Sequence, residues 1–191
     1  MAGHLRHNPL VIRTRLSALS LALSLALLLP LSGCALVDVA LGGYRATMPG
    51  ESMEPTIRMG SLLTASQPGD YAPRTGDIII YRTPEGWAGT VAGQRRVGRV
   101  IGVPGSTVKC CVTGGLLELN GKPLEEPYVT IRPSSRVEFD IRVPQGRLWI
   151  MNDHRHVSKD SRYYMDAPGG GTIGVTDVEG VVTKIDPPAQ Q

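Results

Sequence analysis

The sequence predicts a mainly β domain behind one apolar N-terminal segment, and three observations lead to this class. Glycine and proline supply 23 and 15 of the 191 residues, a share that disfavours long helices. Short runs rich in β-branched residues recur between Gly, Pro and Asp, which is the usual pattern of strands and turns. No stretch beyond the apolar segment has sustained helical periodicity.

The N-terminal segment begins with basic residues and continues as an apolar run. Residues 1–15 contain three arginines and no acidic residue, and residues 16–36 carry no charge. At a rise of about 1.5 Å per residue, a helix over that run reaches about 31 Å, one hydrocarbon thickness. Because the basic flank comes first, we expect residues 1–15 in the cytoplasm, a transmembrane anchor over residues 16–41, and the remaining chain outside.

A cleaved lipoprotein signal is the alternative for this segment. Residues 31–34 read LSGC, which resembles a lipobox, and cleavage would then precede Cys34 as the lipidation candidate. The apolar run continues past Cys34 as far as Leu41, which favours a permanent span. In both cases the domain is tethered to the outer face of a membrane.

Residues 46–191 are expected to form the extracytoplasmic β domain, which is long enough to bury a single core. The predicted strands are, in chain order, 77–81, 98–103, 148–151 and 178–185. Residues 117–119 are followed by Asn120-Gly121, which predicts a hairpin because this pair accepts the positive φ of a type I′ turn.

Charge and cysteine content exclude several function classes. The formal net charge of +3 rests on the N-terminal arginines, so a nucleic-acid-binding surface is not expected. Three cysteines fit no zinc spacing, and we expect no metal or cofactor. Cys110 and Cys111 are adjacent in a predicted strand and should point to opposite faces, which predicts two free thiols, with a disulfide as the alternative.

Three motifs carry candidate chemistry. Residues 50–56 read GESMEPT, residues 99–108 read RVIGVPGSTV, and residues 151–162 read MNDHRHVSKDSR. In this order they resemble the motifs of type I signal peptidases, the membrane-anchored serine endopeptidases that remove signal peptides outside the cytoplasmic membrane. Residues 120–128, NGKPLEEPY, match a connecting stretch of the same family.

This resemblance implies a fold of packed antiparallel sheets and a groove in which an extended signal peptide pairs with strand edges. It also implies a role for individual residues: Ser52 as nucleophile, Met53 and Pro55 in the substrate groove, Ser158 beside the general base, and Asp160 with Arg162 as a structural ion pair. Backbone N–H groups would stabilise the oxyanion, with the amide of Ser52 as the main donor because Gly50 offers no hydroxyl.

The sequence departs from the family pattern at the general base. In the family a neutral lysine directly precedes the arginine of the second motif, and here that position is Gly98. Arg99 cannot replace it, because a guanidinium keeps its proton. His156, two residues before Ser158, is the substitute base considered. Asn152 stands where glycine is usual, and asparagine is the next best residue if that position needs a positive φ.

Two functions follow from these residues. The first is an active serine endopeptidase that removes signal peptides from exported proteins at the outer face of the cytoplasmic membrane. The alternative is a catalytically impaired pseudopeptidase that binds signal peptides or modulates an active paralogous signal peptidase. Self-cleaving repressors, which share a Ser–Lys dyad, are disfavoured because this chain has a membrane segment where they carry a DNA-binding domain.

Overall fold

The computed structural model describes residues 43–189. The predicted segments 1–15 and 16–41, with Cys34, lie outside the described residues. Eleven strands are found in the described part: β1 (Gly43–Thr47), β2 (Leu62–Ser66), β3 (Ile78–Arg82), β4 (Arg95–Gly102), β5 (Thr107–Val112), β6 (Leu116–Leu119), β7 (Lys122–Leu124), β8 (Phe139–Arg142), β9 (Arg147–Met151), β10 (Ile173–Gly174) and β11 (Val178–Asp186). Short 3-10 turns cover Thr113–Gly115, Ser161–Tyr164 and Val175–Asp177.

The mainly β class is therefore confirmed, and the four strands predicted from the sequence correspond to β3, β4, β9 and β11. The hairpin is confirmed as well: β6 pairs with β7, and the Asn120-Gly121 turn has φ angles of 53° and 79°. Across residues 43–189, no helix is long and apolar enough to cross a membrane.

The larger sheet has seven antiparallel strands in the order β1-β2-β11-β3-β4-β9-β10. Strand β4 pairs with β3 over residues 95–99, whereas its pairing with β9 begins only where Arg99 faces Met151. Residues 95–98 therefore have no strand on the β9 side within the described chain. Such an edge leaves backbone N–H and C=O groups to pair with another extended chain.

The smaller sheet has four strands in the order β7-β6-β5-β8. Its apolar face packs against the larger sheet through a buried cluster that contains Trp149 of β9 and Phe139 of β8, with ring centroids 5.1 Å apart. A second cluster lies on the larger sheet, where Trp87 stacks on Tyr164 with centroids 4.1 Å apart. The third cluster consists of Met48, Met53, Ile57 and Leu63, and it holds the chain that follows β1.

Cys110 and Cys111 are joined by a disulfide, so the expectation of two free thiols is wrong. That expectation assumed regular alternation of side chains along the strand. The register of β5 against β6 shifts between Cys110 and Val112, which interrupts the alternation. Both sulfur atoms consequently lie near the same backbone oxygen, that of Ser135, at 3.8 and 3.7 Å.

Candidate active site

Ser52 lies in the turns that follow β1, and buried neighbours in the chain hold it there. The side chains of Met53 and Ile57 are both fully buried in the third cluster, and the Ile57 amide donates to the Met53 carbonyl at 2.9 Å. Met53 does not line the groove described next, because its side chain points into the core, and its assignment to the substrate groove stays a prediction. Pro55 is exposed and does not line the groove described next.

A groove of about 590 Å³ opens beside Ser52. One wall is the chain from the end of β1 to Ser52, residues 46–52, and the other includes residues 94–97 at the start of β4. Ile80, Tyr81, Asn152 and residues 157–159 complete the lining. The free edge of β4 thus borders the same groove as the Ser52 hydroxyl, which gives an extended chain a pairing edge next to a serine side chain.

Gly98 is buried on β4, directly after the groove-lining residue Val97. A Cβ atom built on Gly98 would lie 3.4 Å from Tyr81 Cε1, 3.6 Å from Ile150 Cδ1 and 3.7 Å from Asn152 Oδ1. These are ordinary van der Waals distances, so a methyl group would fit at this position. It would extend toward the amide group that contacts Ser52.

The Asn152 side chain is the hydrogen-bond partner of the Ser52 hydroxyl. Its Nδ2 donates to Ser52 Oγ at 3.1 Å and to the Val97 carbonyl at 2.9 Å. Asn120 is the one non-glycine residue with a positive φ among those described, so Asn152 does not stand for glycine on account of φ. The sequence marks Asn152 as a departure from the motif but does not predict its hydrogen bond to Ser52.

The segment after Asn152 touches the Ser52 backbone. Ser158 Oγ lies 3.0 Å from the Ser52 carbonyl oxygen and 2.8 Å from that of His154, and the His154 amide donates to Ser52 O at 3.1 Å. His156 turns elsewhere, with its Nε2 3.0 Å from the Pro133 carbonyl oxygen. The structure thus brings Ser158 to Ser52, whereas the role of His156 as a base stays a prediction.

Asp160 and Arg162 form a buried pair that also orients Asn152. Arg162 donates to Asp160 from Nε at 2.8 Å and from Nη2 at 2.7 Å. The backbone N–H of Asn152 donates to Asp160 Oδ2 at 3.0 Å. Because Asp160 is fully buried, this carboxylate fixes the backbone from which the Asn152 side chain reaches Ser52.

Arg99 and Asp153 connect all three motifs. Arg99 donates to both Asp153 oxygens, at 2.8 and 2.6 Å, and Thr56 of the first motif donates to Asp153 Oδ2 at 2.5 Å. Burial alone would lower the pKa of Arg99, but the hydrogen bonds and the negative charge of Asp153 raise the pKa above its ordinary value. Arg99 therefore keeps its proton, and its part in the site is positioning.

A third buried ion pair, between Glu126 and Arg155, lies beneath the site and was not predicted from the sequence. Arg155 Nη2 lies 2.5 Å from Glu126 Oε1, and Arg155 Nε donates to the Asn152 carbonyl at 3.0 Å. Both residues stood in motif segments without an assigned role. The available signal was a pair of adjacent glutamates, Glu125 and Glu126, in the connecting stretch and a second arginine in the third motif.

Lys159 lies on the rim of the groove, outside the strand in which the family resemblance places the base. It is exposed, and its carbonyl accepts a hydrogen bond from Arg96 Nη1 at 3.2 Å. Arg95 and Arg96 line the same groove, with Glu51 as the acidic residue of the lining. The rim therefore carries more positive than negative charge.

Comparisons with known proteins agree with these motifs. A family model described as "Signal peptidase, peptidase S26" matches residues 19–186. The "Probable signal peptidase I-1" of Synechocystis is 34% identical over 131 residues, which cover 66% of this chain and 65% of that protein. The signal peptidase I of Mycobacterium tuberculosis is 32% identical over 180 residues, which cover 70% of this chain and 61% of that protein.

A solved structure is also similar. The crystal structure of a signal peptidase I from Enterococcus faecalis is 29% identical to this chain, with a TM-score of 0.46, and the match covers 59% of this chain and 97% of that one. The chain spans less than two thirds of the length of three curated relatives: 65% of the Synechocystis protein, 64% of the probable signal peptidase I of Mycobacterium leprae and 61% of that of Mycobacterium tuberculosis.

Proposed function

Because the chain belongs to the signal peptidase family of S26 peptidases, we propose that it is a serine endopeptidase that binds signal peptides of exported preproteins and removes them. One observation carries the proposal: the Ser52 hydroxyl and the free edge of β4 line the same groove. A bound peptide would therefore present its backbone to both.

Substrate binding follows from the strand edge. An extended signal peptide would add beside residues 95–97 of β4 and run past residues 46–52, taking its main-chain hydrogen bonds from backbone groups that have no strand partner. In this binding mode the main chain of the peptide is recognised by hydrogen bonds, whatever its side chains are. Side chains of the peptide then meet the groove walls at alternate positions.

Cleavage requires a nucleophile, a base and an oxyanion site. Ser52 Oγ would attack the scissile carbonyl and lose its proton to the base, which would pass that proton to the leaving amine as the C–N bond breaks. Water would then hydrolyse the acyl-enzyme that remains. The Ser52 backbone N–H donates to no acceptor within residues 43–189, so it is available to the oxyanion. His156 and Lys159 are the candidate bases that variants can test.

The place of action belongs to the proposal as well. An anchor over residues 16–41 would hold the domain at the outer face of the cytoplasmic membrane, with lipid on Cys34 as the alternative anchor. The charge-free run and the basic flank before it support this. Membrane fractionation of wild type and Cys34→Ser separates the two: the span predicts equal membrane retention, and the lipid anchor predicts release of the variant.

A second candidate function is supported by Gly98. Since no side chain extends from this position to Ser52, the site has the groove and the nucleophile but lacks the base that the family resemblance implies. Loss of one member of a catalytic unit typically costs several orders of magnitude in rate. The protein would then bind signal peptides without cutting them, or modulate an active paralogue.

Preprotein cleavage by the full-length chain in detergent or lipid tests both functions. The comparison uses wild type, Ser52→Ala, and Ser66→Ala as a matched control on β2. Binding of a fluorescent signal peptide is followed by anisotropy in the same samples, because binding and hydrolysis fail for different reasons.

Cleavage by wild type and Ser66→Ala that disappears in Ser52→Ala supports the peptidase. His156→Ala and Lys159→Ala would then identify the base. Saturable binding without cleavage supports the second function. Absence of binding in all three proteins contradicts both.

A further inference from the structure

The site contains one feature that neither function explains, the amide of Asn152. This side chain is 4% exposed, and both hydrogens of its Nδ2 are engaged, one by Ser52 Oγ at 3.1 Å and one by Val97 O at 2.9 Å. Asn152 therefore ties the nucleophile segment to the free edge of β4. No other described residue joins the Ser52 hydroxyl to that strand by a hydrogen bond.

Positions 98 and 152 share one space. A Cβ on Gly98 would stand 3.7 Å from Asn152 Oδ1, so the first atom of a side chain at position 98 would already be in van der Waals contact with the amide. The backbone of Asn152 is fixed by two hydrogen bonds: its N–H donates to the buried Asp160, and its backbone carbonyl accepts from Arg155. Together with the two hydrogen bonds of Nδ2, these contacts keep the side-chain amide beside Ser52.

The chemistry of an amide opposes that of a lysine base. A lysine accepts the serine proton only as a neutral amine, and a hydrogen bond to an amide carbonyl favours the charged ammonium, which raises the pKa of the lysine. The Nδ2 donor also occupies a lone pair of Ser52 Oγ. A lysine at position 98 would thus meet Asn152 Oδ1 as its acceptor before it reached the serine.

Resting on the groove and nucleophile proposed above, we propose that Asn152 is a positioning residue that acts as a latch. It holds the Ser52 hydroxyl as a hydrogen-bond acceptor and excludes a functional base from position 98. Glycine at position 98 and asparagine at position 152 then depend on each other, and the two residues together set the rate of hydrolysis at Ser52.

The test is preprotein cleavage by the full-length chain carrying Gly98→Lys, Asn152→Gly, or both, measured across pH 6 to 10. We expect the double variant to cleave at least about tenfold faster than Gly98→Lys alone. The rising limb of its pH profile should also lie at lower pH, since the amide acceptor has been removed. Gly98→Met with Asn152→Gly is the matched control, which has similar length and no amine, and it should not exceed the wild-type rate.

Equal rates and equal pH limbs for Gly98→Lys with and without Asn152→Gly would overturn the proposal. If no variant cleaves, the interaction between Ser52 and Asn152 is measured instead, by thermal unfolding of wild type, Ser52→Ala, Asn152→Ala and the double alanine variant. Shifts that are not additive support the latch, because the two side chains interact, and additive shifts contradict it. Peptide binding is measured on all variants, and its absence would contradict the proposed function without bearing on the latch.

Discussion

Met53 follows the candidate nucleophile in the chain and supports it from the core. Its side chain is fully buried against Met48, Ile57 and Leu63. A side chain with this burial fixes the turn that presents Ser52, so the S-M-x-P-T motif combines a reactive residue with an anchoring one. The motif identifies both residues, but it does not say which of them faces the substrate.

Met53→Ala should therefore lower the stability of the fold. Truncation of a fully buried methionine leaves a cavity and typically costs about 2–5 kcal/mol. Met59 is 54% exposed and six residues away, so Met59→Ala should stay within about 0.5 kcal/mol of wild type. Urea unfolding of both variants measures the difference, and equal losses would contradict the anchoring role.

At the scale of residues, the sequence was informative where a motif repeats a known chemistry and uninformative where a contact joins distant segments. Ser52 and Ser158 could be named from their motifs. The Asn152 amide meets Ser52 across 100 positions of sequence, and Glu126 meets Arg155 across 29. Such contacts depend on how the strands turn and pair, which local spacing does not contain.

Strand β4 shows how one element serves both the core and the groove. Its first part, residues 95–97, borders the groove, and its second part, from Arg99 on, pairs with β9 and packs against the smaller sheet. The strand contains two glycines. A Cβ on Gly98 would stay at least 3.4 Å from its neighbours. A Cβ on Gly102 would come within 2.7 Å of Val108 Cγ2 and 2.8 Å of Val143 Cγ2.

Alanine at these two glycines should therefore have opposite effects. Gly102→Ala forces Val108 and Val143 to move in a packed core and should cost about 1–3 kcal/mol. Gly98→Ala adds a methyl group at distances of 3.4 Å or more and should be neutral or slightly stabilising, because it restricts the unfolded chain. Thermal unfolding of the two single variants provides the comparison. A loss at Gly98 as large as that at Gly102 would show that the space beside Ser52 is not open.

Among the strands, those rich in isoleucine and valine could be predicted, since a buried strand leaves a continuous apolar run. Strands β1 and β2 read GYRAT and LLTAS, and neither was predicted. They are short and partly polar, and their pairing with each other and with β11 decides their structure.

The two sheets of the molecule meet beneath the groove, and buried charges help to join them there. Glu126 lies in the connection that follows β7 of the smaller sheet, and Arg155 lies in the segment that follows β9 of the larger one. Their side chains are 0% and 1% exposed, and Arg155 also donates to the Asn152 carbonyl. This pair therefore links the packing of the sheets to the position of the Asn152 latch.

Glu126→Gln should destabilise the whole molecule, because it leaves the Arg155 guanidinium buried without a counter-charge. Removing one partner of a buried pair typically costs about 3–5 kcal/mol. Glu125 is the neighbouring residue, is exposed, and carries the same charge, so Glu125→Gln should stay within about 0.5 kcal/mol of wild type. Urea unfolding followed by the fluorescence of the buried Trp87 and Trp149 measures both variants. Signal-peptide binding should weaken only in Glu126→Gln, since the displaced Arg155 no longer holds the Asn152 carbonyl. Equal stability of the two variants would mean that the sheets are joined by apolar packing alone and that the ion pair contributes nothing to the groove.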